Sequence, residues 1–548
     1  MRLVNRVFEI YQKFGVAGLF MALRLRVDRL VEQWRFQRIV EREYLNLPTK
    51  AEAEFKGPLI SVLLPVYNLD AVWLRKCIDS VRSQIYENWE LCIADDASTK
   101  SHIRPLLDEY RRKDARIRVT YREINGHISA ASNSALELAS GEFCVLLDHD
   151  DELRKDALFW VAKTLVEAPD TAMIYSDDNL IDEKGRRSRP LFKPDFSRDL
   201  MYSLNLVTHL SAYRTSILRE IGGFRTGFEG SQDYDLALRV IERINETQIR
   251  HIPRILYHWR TIPGSVAHSS EAKPYAHENA RRALREHLIR VGAEAEVEPS
   301  AYNLHRVRYL LPDRKVATVI LWGDGAPAFD PMTSDNKVSE VIECATASPL
   351  AVQLNEAAER ARGEILVFIR RNTHPNTENP VSELCRFALQ EAIGAAGGLL
   401  TDRSGAVRSG GIVLGGPAAA AIAHFGLPNH QPGNLIRNQV ISNYSAVALD
   451  AFAIRRQLFS TFGGFSDAFD SPLFLAADLC VRLREAGYRI VSTPHAQFIF
   501  PDRKAVGGMS ASIKEIKAFK ERWPKFAFSD PFCNPNLTNN GKFRIKIR

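Results

Sequence analysis

Between residues 59 and 147 the chain alternates short apolar runs with amphipathic stretches, and that alternation leaves few folds open to it. "LISVLLPVYN" (59–68), "WELCIADDAS" (89–98), "IRVTYRE" (117–123) and Cys144-Val145-Leu146-Leu147 read as strands. "DAVWLRKCIDSVRSQ" (70–84), "SHIRPLLDEYRRK" (101–113) and "ISAASNSALELAS" (128–140) read as the helices between them. Strand and helix in turn predict an α/β fold, a parallel sheet with helices on both faces. Ligands then gather at the carboxyl ends of the strands. The polar motifs "PVYN", "DDAS" and "DHDD" all fall at that end.

An internal repeat is the second constraint. "NSALELASGEFCVLLDHD" (133–150) aligns with "NEAAERARGEILVFIRRN" (355–372), "IGGFRTGF" (221–228) with "FGGFSDAF" (462–469), and "DLALRV" (235–240) with "DLCVRL" (478–483). Two related units, 58–300 and 314–502, are the simplest organisation. A basic amphipathic segment (1–50) precedes them and a basic extension (503–548) follows. The copies diverge at their polar positions: Asp148, His149 and Asp150 become Arg370, Arg371 and Asn372, and Asp233 becomes Ala476. Asp235 persists as Asp478, which assigns it to structure.

Composition narrows the class. The 548 residues are 45% hydrophobic and 25% charged, enough for cored globular units. Seven scattered cysteines without a C-x-x-C spacing indicate neither a disulfide framework nor a structural zinc, and point to a reducing, cytoplasmic compartment. No apolar run approaches the roughly 20 residues of a membrane span. Residues 1–50 hold ten Lys and Arg against five Asp and Glu, so most of the net charge of +7 is local. That distribution fits a nucleic-acid binder poorly. Leu23, Val27, Leu30, Val31 and Trp34 repeat at helical spacing among arginines. Such a helix either lies on an anionic membrane surface or docks on its own protein. "KFRIKIR" (542–548) alternates like an edge strand or is a solvated tail.

Asp148, Asp150 and Asp151 crowd the end of the fourth strand. Carboxylates so close repel one another unless a cation is held between them. Mg²⁺ and Mn²⁺ take one or two such carboxylates while substrate phosphates complete their shell. Asp150 is the most direct ligand, Asp148 contacts the metal or the sugar and ribose edge, and Asp151 orients its neighbours or caps the next helix. An acid-rich helix start explains one Asp here, but three in four positions demand more. Asp96, in "DDAS", has the chemistry to accept the N–H of a pyrimidine imide, although that motif alone also serves as a helix cap.

Taken in order, "SVLLPVYN", "IADDAS", "NSALELASGEFCVLLDHDDEL", "IGGF", "GSQDYDLALRV" and "YHWR" resemble a family 2 glycosyltransferase of the GT-A fold over residues 58 to about 270. The resemblance implies a nucleotide-sugar donor (a UDP- or dTDP-sugar), Mg²⁺ or Mn²⁺ at the D-x-D, and transfer with inversion. Pro65, Val66, Tyr67, Asn68, Asp96 and Asp148 would hold the nucleotide sugar. Asp148 and Asp150 would hold the metal with His258 as third ligand, and Arg260 and Ser265 would contact the diphosphate. Within "GSQDYDL" the family's base falls at Asp233, whereas its usual preceding acid is here Gln232. Residues 175–209 would face the acceptor. Asp177 and Asp178 read as a surface turn or acceptor contact, and Asn205 and His209 are named with them.

The second unit resembles the same scaffold without its catalytic set, the GT-A domains thus standing in tandem with the second degenerate. "SGGIVLGG" (409–416), which resembles related rhamnosyltransferases, keeps a bifunctional enzyme in view. The expectation is a peripheral enzyme at the cytoplasmic face of a bacterial membrane, building an O-antigen-like polysaccharide on a glycan or lipid-linked acceptor, dTDP-rhamnose being one candidate donor. The rival is a non-catalytic nucleotide- or glycan-binding scaffold. Metal-dependent turnover of a nucleotide sugar separates the two.

Overall fold

The computed structural model describes residues 26–28, 30–43, 45–262, 274–344, 349–500, 511–526 and 528–546. The expected helical repeat before residue 26, Ser265 and residues 503–510 lie outside them. The first sheet is built from β1 (Ile60–Val66), β2 (Trp89–Asp95), β3 (Ile117–Tyr121), β4 (Phe143–Leu146), β5 (Glu152–Leu153), β6 (Met173–Asp182), β7 (Arg187–Leu191), β8 (Ser211–Arg214) and β9 (Ile249–Thr261). Its order is β3-β2-β1-β4-β8-β6-β9-β5, with β7 beside β6. The β1, β2 and β4 strands are parallel as the sequence predicts. However, β8 inserts antiparallel between β4 and β6, so the sheet is mixed. The helix Ala71–Arg82 buries Leu74, Cys77, Ile78 and Val81, one stripe of a 3.6-residue period.

A hairpin of β10 (Ala295–Pro299) and β11 (His305–Tyr309) leads to the second sheet. Its strands are β12 (Ala317–Trp322), β13 (Val338–Glu343), β14 (Ile365–Arg370), β15 (His374–Pro375), β16 (Ile393–Asp402) and β17 (Val407–Ser409). Three short strands, β18 (Gly411–Leu414), β19 (Ala420–Ile422) and β21 (Ala446–Val447), form a separate sheet, and β20 (Ser442–Asn443), β22 (Ala451–Arg455) and β23 (Arg489–Phe500) complete the main one. The order β13-β12-β14-β22-β16-β23-β15 reproduces the first sheet strand for strand, except that among the described residues no strand stands for β3.

The repeated motifs do the same physical work twice. Asn133 Nδ2 donates to Phe224 O and its Oδ1 accepts from Phe224 N, both at 2.8 Å. Asn355 repeats the clasp on Phe465 at 2.9 Å. A glycine at positive φ closes each turn, Gly223 at +67° and Gly464 at +65°, because a Cβ there would strike the asparagine Oδ1. Asp235, fully buried, pairs with Arg239, whose guanidinium also donates to Ile221 O and Gly223 O. Asp478 and Arg482 repeat that arrangement on Phe462 O and Gly464 O.

The two sheets share one continuous apolar core that includes Leu200, Tyr202, Val307, Phe387, Ile441 and Val491. Beside it Asn443 Oδ1 accepts from Ser197 Oγ and Asp199 N, and Arg489 pairs with Asp199 at 2.9 Å. The helix over 26–45 docks on the protein through buried Phe36 and Ile39. Glu43 on that helix pairs with Arg154 and Arg187. Val27, Leu30 and Trp34 face outward, 50–64% exposed. The end of the chain is no solvated tail as far as residue 546: Phe543 and Ile545 are buried in the same cluster as Phe36, and Ile545 N donates to Glu32.

Candidate active site

The site is assembled where β4 and β8 run out together. Their antiparallel register pairs Phe143 with Arg214, Cys144 with Tyr213 and Val145 with Ala212. Continued past the strand ends, it sets Asp148 opposite His209. A tight turn then brings Asp151 back, its N–H donating to Asp148 O at 3.1 Å. Ligand atoms of Asp148, Asp151 and His209 all lie within 4.8 Å of one another. Tyr257 on β9 is the backstop: its ring stacks on His209 at 4.6 Å, and its hydroxyl donates to Asp151 Oδ2 at 2.6 Å and accepts from Asp148 N.

The electrostatics suit a cation. Burial, together with Asp150 and Asp148, pushes the Asp151 carboxyl well above the usual carboxylate range, against the donors Arg260 N and Tyr257 OH. A cation held there would relieve that repulsion. Burial and then nearby Lys193 hold His209 down at about 3, so its imidazole is neutral with a lone pair to offer. Two carboxylates and one neutral imidazole are a donor set that Mg²⁺ or Mn²⁺ accepts.

Asp233 stands in the first turn of the helix Gln232–Ile241. Its Oδ2 accepts from Asn205 Nδ2 at 2.8 Å and from Thr208 Oγ1 at 3.5 Å. Burial raises this carboxyl, while neighbouring backbone N–H groups and these two side chains oppose the rise. Thr208 and His209 are consecutive, so one two-residue stretch touches Asp233 with one side chain and the acidic cluster with the other.

Several expected site residues sit differently. His258 is not beside the acidic cluster: Tyr257 and Trp259 face His209, and His258 between them points to the other side of β9, where its Nδ1 meets Asn179 Oδ1 at 2.8 Å. The imidazole of the cluster comes from His209 instead. Arg260 is fully buried, pairs with Glu152, donates to Asp150 O and lies over Trp73, so its guanidinium is already spent. Asp150 follows Asp148 in the same turn but is not among the three clustered groups. Asp177 and Asp178 form no surface turn; both are buried, Asp177 against His251 and Asp178 against Lys193.

Beside the acidic turn, at the end of β1, Tyr67 is 44% exposed and Pro65 half-buried, its carbonyl 3.2 Å from His149 Nδ1. Val66 is in the core and its carbonyl accepts from Asp96 N, which leaves it no free group to offer a ligand. Asn68 binds the second loop to the first, its Oδ1 accepting from Thr99 N and Lys100 N. Asp96 is 2% exposed and accepts from Arg122 Nε at 2.8 Å and Gly126 N at 2.9 Å. Lys193, and Tyr257 within "YHWR", carry no local spacing that assigns them a role in the site.

In the second sheet the same register joins β14 to β22 and sets Arg370 opposite Asp450. These occupy the places of Asp148 and His209, and they form an ion pair at 3.4 Å. Thr373 stands for Asp151 and Phe498, without a hydroxyl, for Tyr257. A guanidinium thus stands in the second copy where the first has the carboxylate of Asp148.

Residues 61–222 match the model of glycosyl transferase family 2. The putative colanic acid biosynthesis glycosyl transferase WcaA of Escherichia coli is 32% identical over 209 residues, 36% of this chain and 73% of that protein. The O-antigen biosynthesis protein RfbC of Myxococcus xanthus is 31% identical over 522 residues, 88% of this chain and 40% of that protein. The chain spans 58% and 40% of the two curated relatives that match most of its length. TarS 1-349 of S. aureus, solved in complex with UDP-GlcNAc, is 21% identical over 42% of this chain and 66% of that one, with a TM-score of 0.35. The chain belongs to glycosyl transferase family 2.

Proposed function

We propose that this chain transfers a sugar from a nucleoside diphosphate sugar, with inversion, to a hydroxyl of a glycan or lipid-linked glycan in the synthesis of a bacterial surface polysaccharide. The observation that carries the reading is the shared Thr208–His209 stretch, which couples a raised carboxylate, Asp233, to the cluster of Asp148, Asp151 and His209. Asp233 takes the acceptor hydroxyl's proton as its oxygen bonds to the anomeric carbon, while the bond from that carbon to the diphosphate oxygen breaks and the nucleoside diphosphate leaves. Mg²⁺ or Mn²⁺, when bound by Asp148, Asp151 and His209 with Asp150 nearby, supplies positive charge for the departing diphosphate. Tyr257 fixes the orientation of both Asp151 and His209. Tyr67 and Pro65 at the end of β1 and Asp96 after β2 are the candidates for contact with the nucleoside, and Ser265 remains a candidate for the diphosphate.

The likeness to RfbC supports an O-antigen product, and a UDP- or dTDP-sugar, dTDP-rhamnose among them, is the donor class to test. The catalytic unit is then 58–300. The unit 314–502, with Arg370 at the place of Asp148, serves to brace the first or to hold the growing glycan, and residues 528–546 close on the helix over 26–45. Among the described residues no helix is long and apolar enough to cross a membrane. The outward stripe of Val27, Leu30 and Trp34 supports a peripheral seat on the cytoplasmic face of the cell membrane. The test is a panel of nucleotide sugars offered to the purified protein with Mg²⁺ or Mn²⁺: release of a nucleoside diphosphate from one of them is expected, and binding without turnover across the panel refutes the enzymatic reading in favour of a scaffold.

A further inference from the structure

Lys193 is buried to 1% exposure beneath the site. Its ammonium pairs with Asp178 at 2.9 Å and donates to the carbonyls of Ser176 and His209, each at 2.7 Å, and of Thr208. Burying an ammonium costs several kcal/mol unless it is paired and hydrogen-bonded. An apolar side chain would fill the same space without that penalty, so filling space does not account for a lysine here. What the lysine adds is a fixed point under two consecutive carbonyls. The residues that own them carry the hydroxyl at Asp233 and the imidazole at the acidic cluster.

The lysine is itself held from the far end of the chain. Lys193 N donates to Asp177 Oδ1 at 2.9 Å. Asn534, 3% exposed, donates to both oxygens of Asp177 and to Lys193 O at 2.8–3.0 Å. His251 meets the same carboxylate at 2.9 Å. A C-terminal segment, more than 300 residues away in sequence, thus closes the network that carries Thr208 and His209.

We infer that Lys193 is a positioning residue that sets the spacing between the proton acceptor Asp233 and the cation ligand His209, with Asn534 as its support. This rests on the roles proposed above for Asp233 and the Asp148, Asp151 and His209 cluster. Lys193→Met alone would leave the buried Asp178 without its partner, so the informative variant is K193M/D178N, which removes both charges together. Mn²⁺ binding in the presence of UDP, followed by the electron paramagnetic resonance of free Mn²⁺, is measured alongside kcat for release of the nucleoside diphosphate. K193M/D178N is expected to bind Mn²⁺ at least tenfold more weakly and to lose at least tenfold in kcat, while metal-free UDP binding stays within twofold of the wild type. Asn534→Ala, which keeps both charges, is expected to move the same two quantities about threefold. A folded double variant with wild-type Mn²⁺ affinity and kcat overturns the inference. Should the double variant fail to fold, an unchanged Mn²⁺ affinity and kcat in Asn534→Ala overturns it. Wild-type protein that binds no Mn²⁺ at all refutes instead the reading of the cluster on which the inference rests.

Discussion

Replacing Asp233 by Asn isolates the proton-accepting step. The two side chains have the same shape, and an amide oxygen in the place of Oδ2 still accepts from Asn205 Nδ2, now 2.8 Å away, so the helix start and its partners are preserved. What is lost is the basic oxygen. A positioned general base contributes about 10²- to 10⁴-fold, or roughly 3–5 kcal/mol of barrier. The expected result is therefore a fall of that size in kcat at saturating donor and acceptor, with unchanged Mn²⁺ affinity and an unchanged thermal midpoint. The pH profile gives an independent check. Burial raises the Asp233 carboxyl above its ordinary value of 3.8. The wild-type rate should thus decline on acidification with a midpoint above 3.8, and that limb should vanish in Asp233→Asn. Turnover within threefold of the wild type refutes the assignment of the base.

Other consequences concern stability and placement. Asp235→Asn leaves the buried Arg239 without its carboxylate, as Asp478→Asn leaves Arg482; each should cost about 3–5 kcal/mol in urea unfolding, and a cost below 1 kcal/mol in both contradicts the paired structural role. At Glu242 burial opposes ionisation, but bonds from His287 and Arg290 prevail and hold the carboxyl at about 2 against an ordinary 4.5. Its depressed folded value supplies stability above pH 4.5 that disappears as the pH falls toward 2, about 1–2 kcal/mol after solvent screening; Glu242→Gln should unfold more easily at pH 7 yet match the wild type near pH 2, and equal stability at pH 7 tells against it. The double substitution L30E/W34E should abolish co-sedimentation with anionic vesicles without changing the fold, since both side chains are more than half exposed; undiminished binding removes the membrane role of that stripe.

The α/β class, the doubled organisation and the acids at the end of β4 are all legible in the sequence, because each is a local signal. A strand shows itself in consecutive apolar residues and a helix in a 3.6-residue stripe, as in Leu74, Cys77, Ile78 and Val81. A repeat is visible because both copies need the same asparagine clasp and the same glycine at positive φ. The loss of Asp148 and Asp233 in the second copy is likewise read directly from aligned residues.

Only the tertiary structure decided which imidazole joins the acids. His209 meets Asp148 through the antiparallel register of β4 and β8, two strands far apart along the chain whose pairing no local period records. His258 turned away because alternate side chains of a strand point to opposite faces, and the irregular register of β9 against β6 sets which face each takes. The same long-range pairing placed Arg370 against Asp450 in the second copy. Lys193 and Asn534 belong to this category as well. Their value lies in a buried network drawn from segments distant along the chain, and burial is a property of the folded whole that no short stretch of residues carries by itself.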